Sequence, residues 1–191
     1  MEQLTGQIGI LLTVLVVLIF IAALYVAVVY NKLIQYRIDA DNSWKQIGVQ
    51  LKRRYDLIPN LVETVKAYLK HENETLVKVI EARNKAVIAK TPGEVSKAEG
   101  LMIPLLKELS MVIEKYPELK ANENIKQLFE EITSTENKIS FSRSHYNDVV
   151  ANYNFFKEKF PSNVVAGWFK FPAREYFEIE QADKSVRQVK L

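Results

Sequence analysis

The sequence predicts an all-α protein: an antiparallel up-down bundle of about four long helices, preceded by one transmembrane helix. Three observations predict it. Residues 8–30 carry no charge, the rest of the chain places apolar residues at steps of three and four, and prolines divide those periodic runs into segments.

The first element is the span IGILLTVLVVLIFIAALYVAVVY, from Ile8 to Tyr30, whose only polar side chains are Thr and Tyr. As a helix it would be ~34 Å long, enough to cross a bilayer core of ~30 Å with modest tilt. A cleaved signal peptide would want a basic start and an apolar run of about 7–15 residues. Here the charge before the run is Glu2 and the run is longer. A buried core helix would need the rest of the domain wrapped around it. A single-pass anchor in the cell membrane is therefore expected. Its short N-terminal flank has no Lys or Arg, whereas Lys32, Arg37 and Lys45 lie beyond its other end. Basic residues resist translocation, so the N-terminus is expected outside and the bundle in the cytoplasm. Tyr25 and Tyr30 suit the interface.

Beyond the anchor the chemistry changes. The whole chain has 191 residues, 48% hydrophobic and 26% charged, and residues 31–191 hold 26 basic and 22 acidic side chains. That excess is spread out and too mild to argue for nucleic acid. Cysteine is absent, which excludes disulfides, thiolate metal sites and thiol nucleophiles.

The first bundle helix is expected to continue the span to about Leu57, with Leu33, Ala40, Trp44, Ile47, Leu51 and Tyr55 as its apolar stripe. Pro59, which lacks an amide and disfavours helix at its predecessor, is expected to interrupt it, with Asp56 capping a second helix. That second helix takes Leu61, Val65, Tyr68, Leu69, Leu76, Val79, Ile80, Arg83 and Val87, and Thr91-Pro92-Gly93 stops it. The third runs from about Glu94 to Tyr116, kinked or delayed by Pro104 and closed by Pro117. The fourth, from about Asn122 to Lys157, has the cleanest period: Ile125, Leu128, Ile132, Thr135, Ile139, Ser142, Tyr146, Val149, Tyr153 and Phe156, a coiled-coil-like seam. These lengths, about 40, 48, 35 and 55 Å at 1.5 Å per residue, suit an antiparallel bundle with short turns. Only Tyr176–Ile179 hints at a strand. The organisation expected is an anchor over 1–30, a bundle over 31–158, and an aromatic-rich segment over 159–191 that packs on the bundle or the membrane interface.

Several phrases resemble the LemA family: Tyr30-Asn31, Asp41 to Trp44, Val49 to Glu63 (VQLKRRYDLIPNLVE), Lys115 to Asn122 (KYPELKAN), Thr135 to Ile139 (TENKI), Arg143 with Tyr146-Asn147, and Tyr153-Asn154 through Phe160-Pro161. They cover nearly the whole chain in order. The resemblance implies a bacterial, N-terminally anchored helical bundle with no settled biochemical activity, and it supplies no catalytic residue. SKAEGLMIP, which contains Pro104, departs from the pattern.

The polar candidates lie along the fourth helix. Glu136, Arg143, Asn147 and Asn154 form one line beside the apolar seam. With Arg53 or Arg54 of the first bundle helix they are expected to form a structural polar network that fixes register. The enzymatic alternative is weak, because the line holds no nucleophile with a base and little that titrates near neutrality. His71, in HENE with Glu72 and Glu74, and His145 show no metal-ligand spacing, and the scattered glycines write no phosphate loop. No cofactor, metal or catalytic residue is expected.

Ten of the twenty aromatic residues fall between Tyr146 and Phe177. Phe160, Trp168, Phe169, Lys170 and Phe171 are the candidate contacts with a partner or the membrane. They are expected near lipid if the first two bundle helices form a hairpin at Pro59, and far from it if those helices form one rod. The expected function is a membrane-anchored scaffold or adaptor, held in lipid by residues 8–30 and contacting membrane or cytoplasmic proteins, or further copies of itself. The alternative is an organiser of an anionic membrane surface.

Overall fold

The computed structural model describes residues 1–69 and 73–179, with backbone alone at 2–5 and 73. The protein is all-helical. Its elements are α1 (Glu2–Lys66), α2 (Asn73–Ile88), α3 (Pro92–Lys115), α4 (Pro117–Lys120), α5 (Glu123–Glu158) and α6 (Ser162–Trp168). Among the described residues there is no strand, and Tyr176–Ile179 is irregular.

α1 is long and apolar enough to cross a membrane, and only 6% of its most apolar window is buried. A core helix of a soluble globule would be covered, so that alternative fails. The buried positions of α1 begin at Val29 and recur as Leu33, Ala40, Ile47, Leu51, Tyr55, Ile58, Leu61 and Val65.

That series runs through Pro59 without a break, correcting the expected interruption there. Proline at 59 removes the amide that would bond the Tyr55 carbonyl. The Arg83 side chain of α2 replaces it, its Nε donating to Tyr55 O at 3.0 Å. With the orphaned acceptor satisfied from outside, the helix continues to Lys66 before the chain turns. α2 ends at Ile88, ahead of Thr91-Pro92-Gly93, and the same residues also start α3. Thr91 Oγ1 accepts from the Glu94 amide, and the Glu94 carboxylate accepts from the Thr91 amide, a capping box with Pro92 in the first turn. Pro104 lies inside α3, which neither starts late nor divides there.

The chain forms two compact units: residues 1–41 with 149–174, and residues 42–148 with 175–191. In the second, α1 and α5 are antiparallel: Trp44 meets Tyr146, Arg53 meets Glu131, and Tyr68 meets Asn122. Thr75 of α2 donates to Glu108 of α3 at 2.9 Å. Asn122 caps α5, its Oδ1 accepting from the Ile125 amide at 3.1 Å. The α5 seam buries Ile125, Ile132, Thr135, Ile139 and Tyr146 in this unit. In the first unit, Val29 and Leu33 of α1 share a core with Tyr153, Val165, Ala166 and Phe171.

Candidate functional site

Three arrangements in the fold could carry function. The first is a buried charge cluster in the second unit. Arg54, fully buried on α1, forms ion pairs with Glu99 of α3 and Glu136 of α5. Tyr55 completes it, its hydroxyl donating to Glu99 Oε1 at 2.6 Å. Burial lowers the Arg54 pKa by penalising the charged form, while Glu136 and Tyr55 act against that. Burial also raises the Tyr55 pKa, with Arg54 opposing. One guanidinium thus ties three helices together at a single level. Arg53, one residue earlier, points outward to a solvent-exposed pair with Glu131.

The second is a groove of about 390 Å³ in the same unit, lined by Trp44, Gly48, Leu51, Val87, Val95 and neighbours. Lys52, Arg83 and Lys90 stand on its walls against a single acid, Asp56.

The third lies in the first unit, where α5 ends, α6 begins and the chain turns back. Phe169 and Phe171 pack on Tyr30 of α1, with ring centroids 4.8 and 5.8 Å away. Phe156 packs on Tyr36 at 5.4 Å, with the Lys32 ammonium 5.0 Å from the Phe156 ring. α6 closes with a Schellman turn: Phe171 N donates to Ala166 O at 2.9 Å and Lys170 N to Gly167 O at 3.1 Å. This places Lys170 in the left-handed region, φ 53°. The turn sends Phe171 inward, 7% exposed, and leaves Trp168 76% exposed; Phe160, ahead of α6, is 75% exposed.

A model of the LemA family matches residues 43–191 of the chain. The chain belongs to the LemA family. Among curated relatives it is 24% identical to magnetosome protein MamQ 2 of Paramagnetospirillum magneticum, an alignment covering 90% of this chain and 72% of that protein. MamQ 1 of the same organism matches equally. Protein LemA of Metamycoplasma hominis is 27% identical over 71% of this chain and 63% of its own length.

In this LemA-family chain the residues singled out from sequence divide among separate jobs. Arg54 and Glu136 meet in the buried cluster. Arg143 is half-buried and has no part in it. Asn147 and Asn154 are backbone clamps. Asn154 Nδ2 donates to Arg174 O and its Oδ1 accepts from Arg174 N, both at 2.9 Å. Asn147 makes the same pair with Phe177, at 3.1 and 2.9 Å. Each clamp holds one point of the tail backbone against α5 within its own unit. Tyr146 and Tyr153 add to the clamp, their hydroxyls donating to Glu175 O at 2.8 Å and Pro172 O at 2.7 Å. Of the aromatic candidates, Phe160, Trp168 and Phe169 stay exposed, whereas Phe171 belongs to the core and is not free to touch a partner.

One rod through Pro59 was expected to carry the aromatic segment far from lipid. Instead the segment packs at Tyr30, where the apolar run ends. Sequence reasoning missed Glu99, although an acid among Val95, Ala98, Met102, Leu106 and Leu109 on one helical face signals a buried ion pair. It also missed Tyr55 as a donor and Arg83 as the cap of a proline-orphaned carbonyl. His71 and Glu72 lie outside the described residues. Among the described residues no group of acidic, His or Cys side chains could hold a metal.

Proposed function

We propose that this chain is a membrane-anchored scaffold: residues 8–30 hold it in the bilayer, and the bundle, on the cytoplasmic side, holds other proteins against that membrane. One observation carries the reading. The exposed apolar run and the buried core positions of the bundle belong to one unbroken helix, α1. Lys32, Arg37 and Lys45 on the bundle side of the span favour a cytoplasmic bundle.

The groove of the second unit is the partner surface in this reading. Its apolar floor, with Lys52, Arg83 and Lys90 against Asp56, suits a helical segment with one apolar and one acidic face. The polar line on α5 is committed elsewhere, Glu136 to Arg54 and the two asparagines to the tail backbone, which weighs against an enzyme using it.

The test is a photoreactive aromatic residue at Gly48, where an added Cβ meets nothing within 4 Å. Irradiated in intact cells, it is expected to give a discrete adduct with an acidic protein, lost when Lys52→Glu and Lys90→Glu are combined. An adduct of twice the chain's mass replaces the heterologous partner with a second copy. Membrane-inserted protein that yields no protein adduct refutes the scaffold role.

A further inference from the structure

We propose that α6 and its flanking residues form an interfacial foot, inserting Phe160, Val164, Trp168 and Phe169 into an anionic phospholipid leaflet while Lys157, Lys159 and Lys170 meet its phosphates. This rests on the anchor reading and goes beyond it, since the anchor alone requires no second lipid contact.

A helix over residues 8–30 matches the hydrocarbon thickness, which sets Tyr30 at the boundary between acyl chains and headgroups. Phe169 touches Tyr30, and Trp168 lies 6.3 Å from Phe169, centroid to centroid. The foot is therefore at headgroup depth because it packs on the residue that ends the span.

Its exposure and charge suit that depth. Phe160, Val164 and Trp168 are each at least 60% exposed and Phe169 is 49% exposed. In water they would form a costly apolar patch; at the interface Trp and Phe are comfortable, with one end apolar and the other wet. Residues 26–41 and 149–174 carry six basic side chains, Lys32, Arg37, Lys157, Lys159, Lys170 and Arg174, against the acids Asp39, Asp41 and Glu158. Arg174 is paired with Asp41 at 2.7 Å. Lys157 and Lys170 border a depression of about 270 Å³ with Glu158, Asn163 and Gly167, room for a phosphate group. Long lysine stems can lie along the rings while their ammonium groups reach the headgroups, and Lys159 already lies 5.7 Å from the Phe155 ring.

The experiment uses full-length protein reconstituted in vesicles of phosphatidylcholine, with or without phosphatidylglycerol, containing lipid brominated near the top of the acyl chain. In a Trp44→Phe background the emission of Trp168 reports the foot alone. Quenching by bromine is expected, stronger with phosphatidylglycerol, together with shielding from aqueous iodide in the phosphatidylcholine vesicles. Lys157→Gln and Lys170→Gln should each lower the ratio of inserted to lifted foot by about five-fold. A separate Phe20→Trp variant, with Trp44 and Trp168 both changed to Phe, monitors the anchor in vesicles whose lipid is brominated near the end of the acyl chain. If the residue-20 probe is quenched but Trp168 is not, the foot is overturned and the anchor stands. If neither is quenched, the anchor reading falls and the foot with it. Trp168 shielded from iodide yet unquenched by bromolipid means a protein covers it, which also overturns the proposal.

Discussion

Arg54→Met should be the most damaging single change in the bundle core. The side chains of Arg54 and Glu99 are both fully buried, so removing the guanidinium leaves one carboxylate in the interior without its counter-charge and frees a second, Glu136, at the edge. Breaking a buried pair from one side costs ~3–5 kcal/mol. For a chain of this size each kcal/mol moves Tm by ~2–4 °C, giving a drop of about 6–20 °C. Glu99→Gln should cost less, because Tyr55 can still donate to the amide oxygen and Arg54 keeps Glu136. The combination Arg54→Met with Glu99→Met removes both fully buried charges and should recover most of the loss, since an apolar replacement of such a pair is often neutral. Thermal and urea unfolding of the full-length protein in detergent, monitored by circular dichroism, reads all of these. An Arg54→Met variant within ~1 kcal/mol of the parent, or a double variant whose loss is the sum of the singles, would refute the reasoning.

Three further outcomes rest on the same geometry. Arg83→Met should cost ~1–3 kcal/mol by stranding the Tyr55 carbonyl, and distinctly less in a Pro59→Ala background, where an alanine amide can take that carbonyl back; equal losses in both backgrounds would contradict the capping role. Asn154→Ala removes both bonds to Arg174 and should speed amide exchange there while leaving Phe177, held by Asn147, protected. The Tyr55 pKa is raised above its ordinary value of about 10 by burial. A raised pKa means the fold binds the proton more tightly than the unfolded chain, so this contribution is complete below about pH 10 and is lost as pH rises through the folded value. The parent should therefore lose stability on alkaline titration more steeply than Tyr55→Phe, and parallel curves would count against it.

One physical division separates the features legible in the sequence from those hidden in it. The long apolar N-terminal helix, the α5 seam and the Arg54–Glu136 pair depend on periodicity and charge, which are local and readable. Pro59 was misleading because its cost depends on whether the freed carbonyl finds another donor, and that donor, Arg83, comes from another helix. Thr91 and Glu94 spell a capping box legible in the sequence, and Thr91-Pro92-Gly93 marks both the end of one helix and the start of the next. Glu99 could have been found as an acid on an apolar stripe. Nothing local separates Phe171 from Trp168: a left-handed Lys170 and the Schellman turn around it turn one ring inward and leave the other outside.

The central claim is that one continuous helix belongs to lipid at one end and to the bundle core at the other. A nitroxide scan of α1 from residue 8 to residue 66 in lipid nanodiscs, recording accessibility to oxygen and to an aqueous nickel complex, tests it most directly. High oxygen and low nickel accessibility at every position up to about Tyr25 is predicted, then a 3.6-residue oscillation that passes through Pro59 without a phase slip. Nickel reaching residues 10–25, or an oscillation that breaks at Pro59, would contradict it.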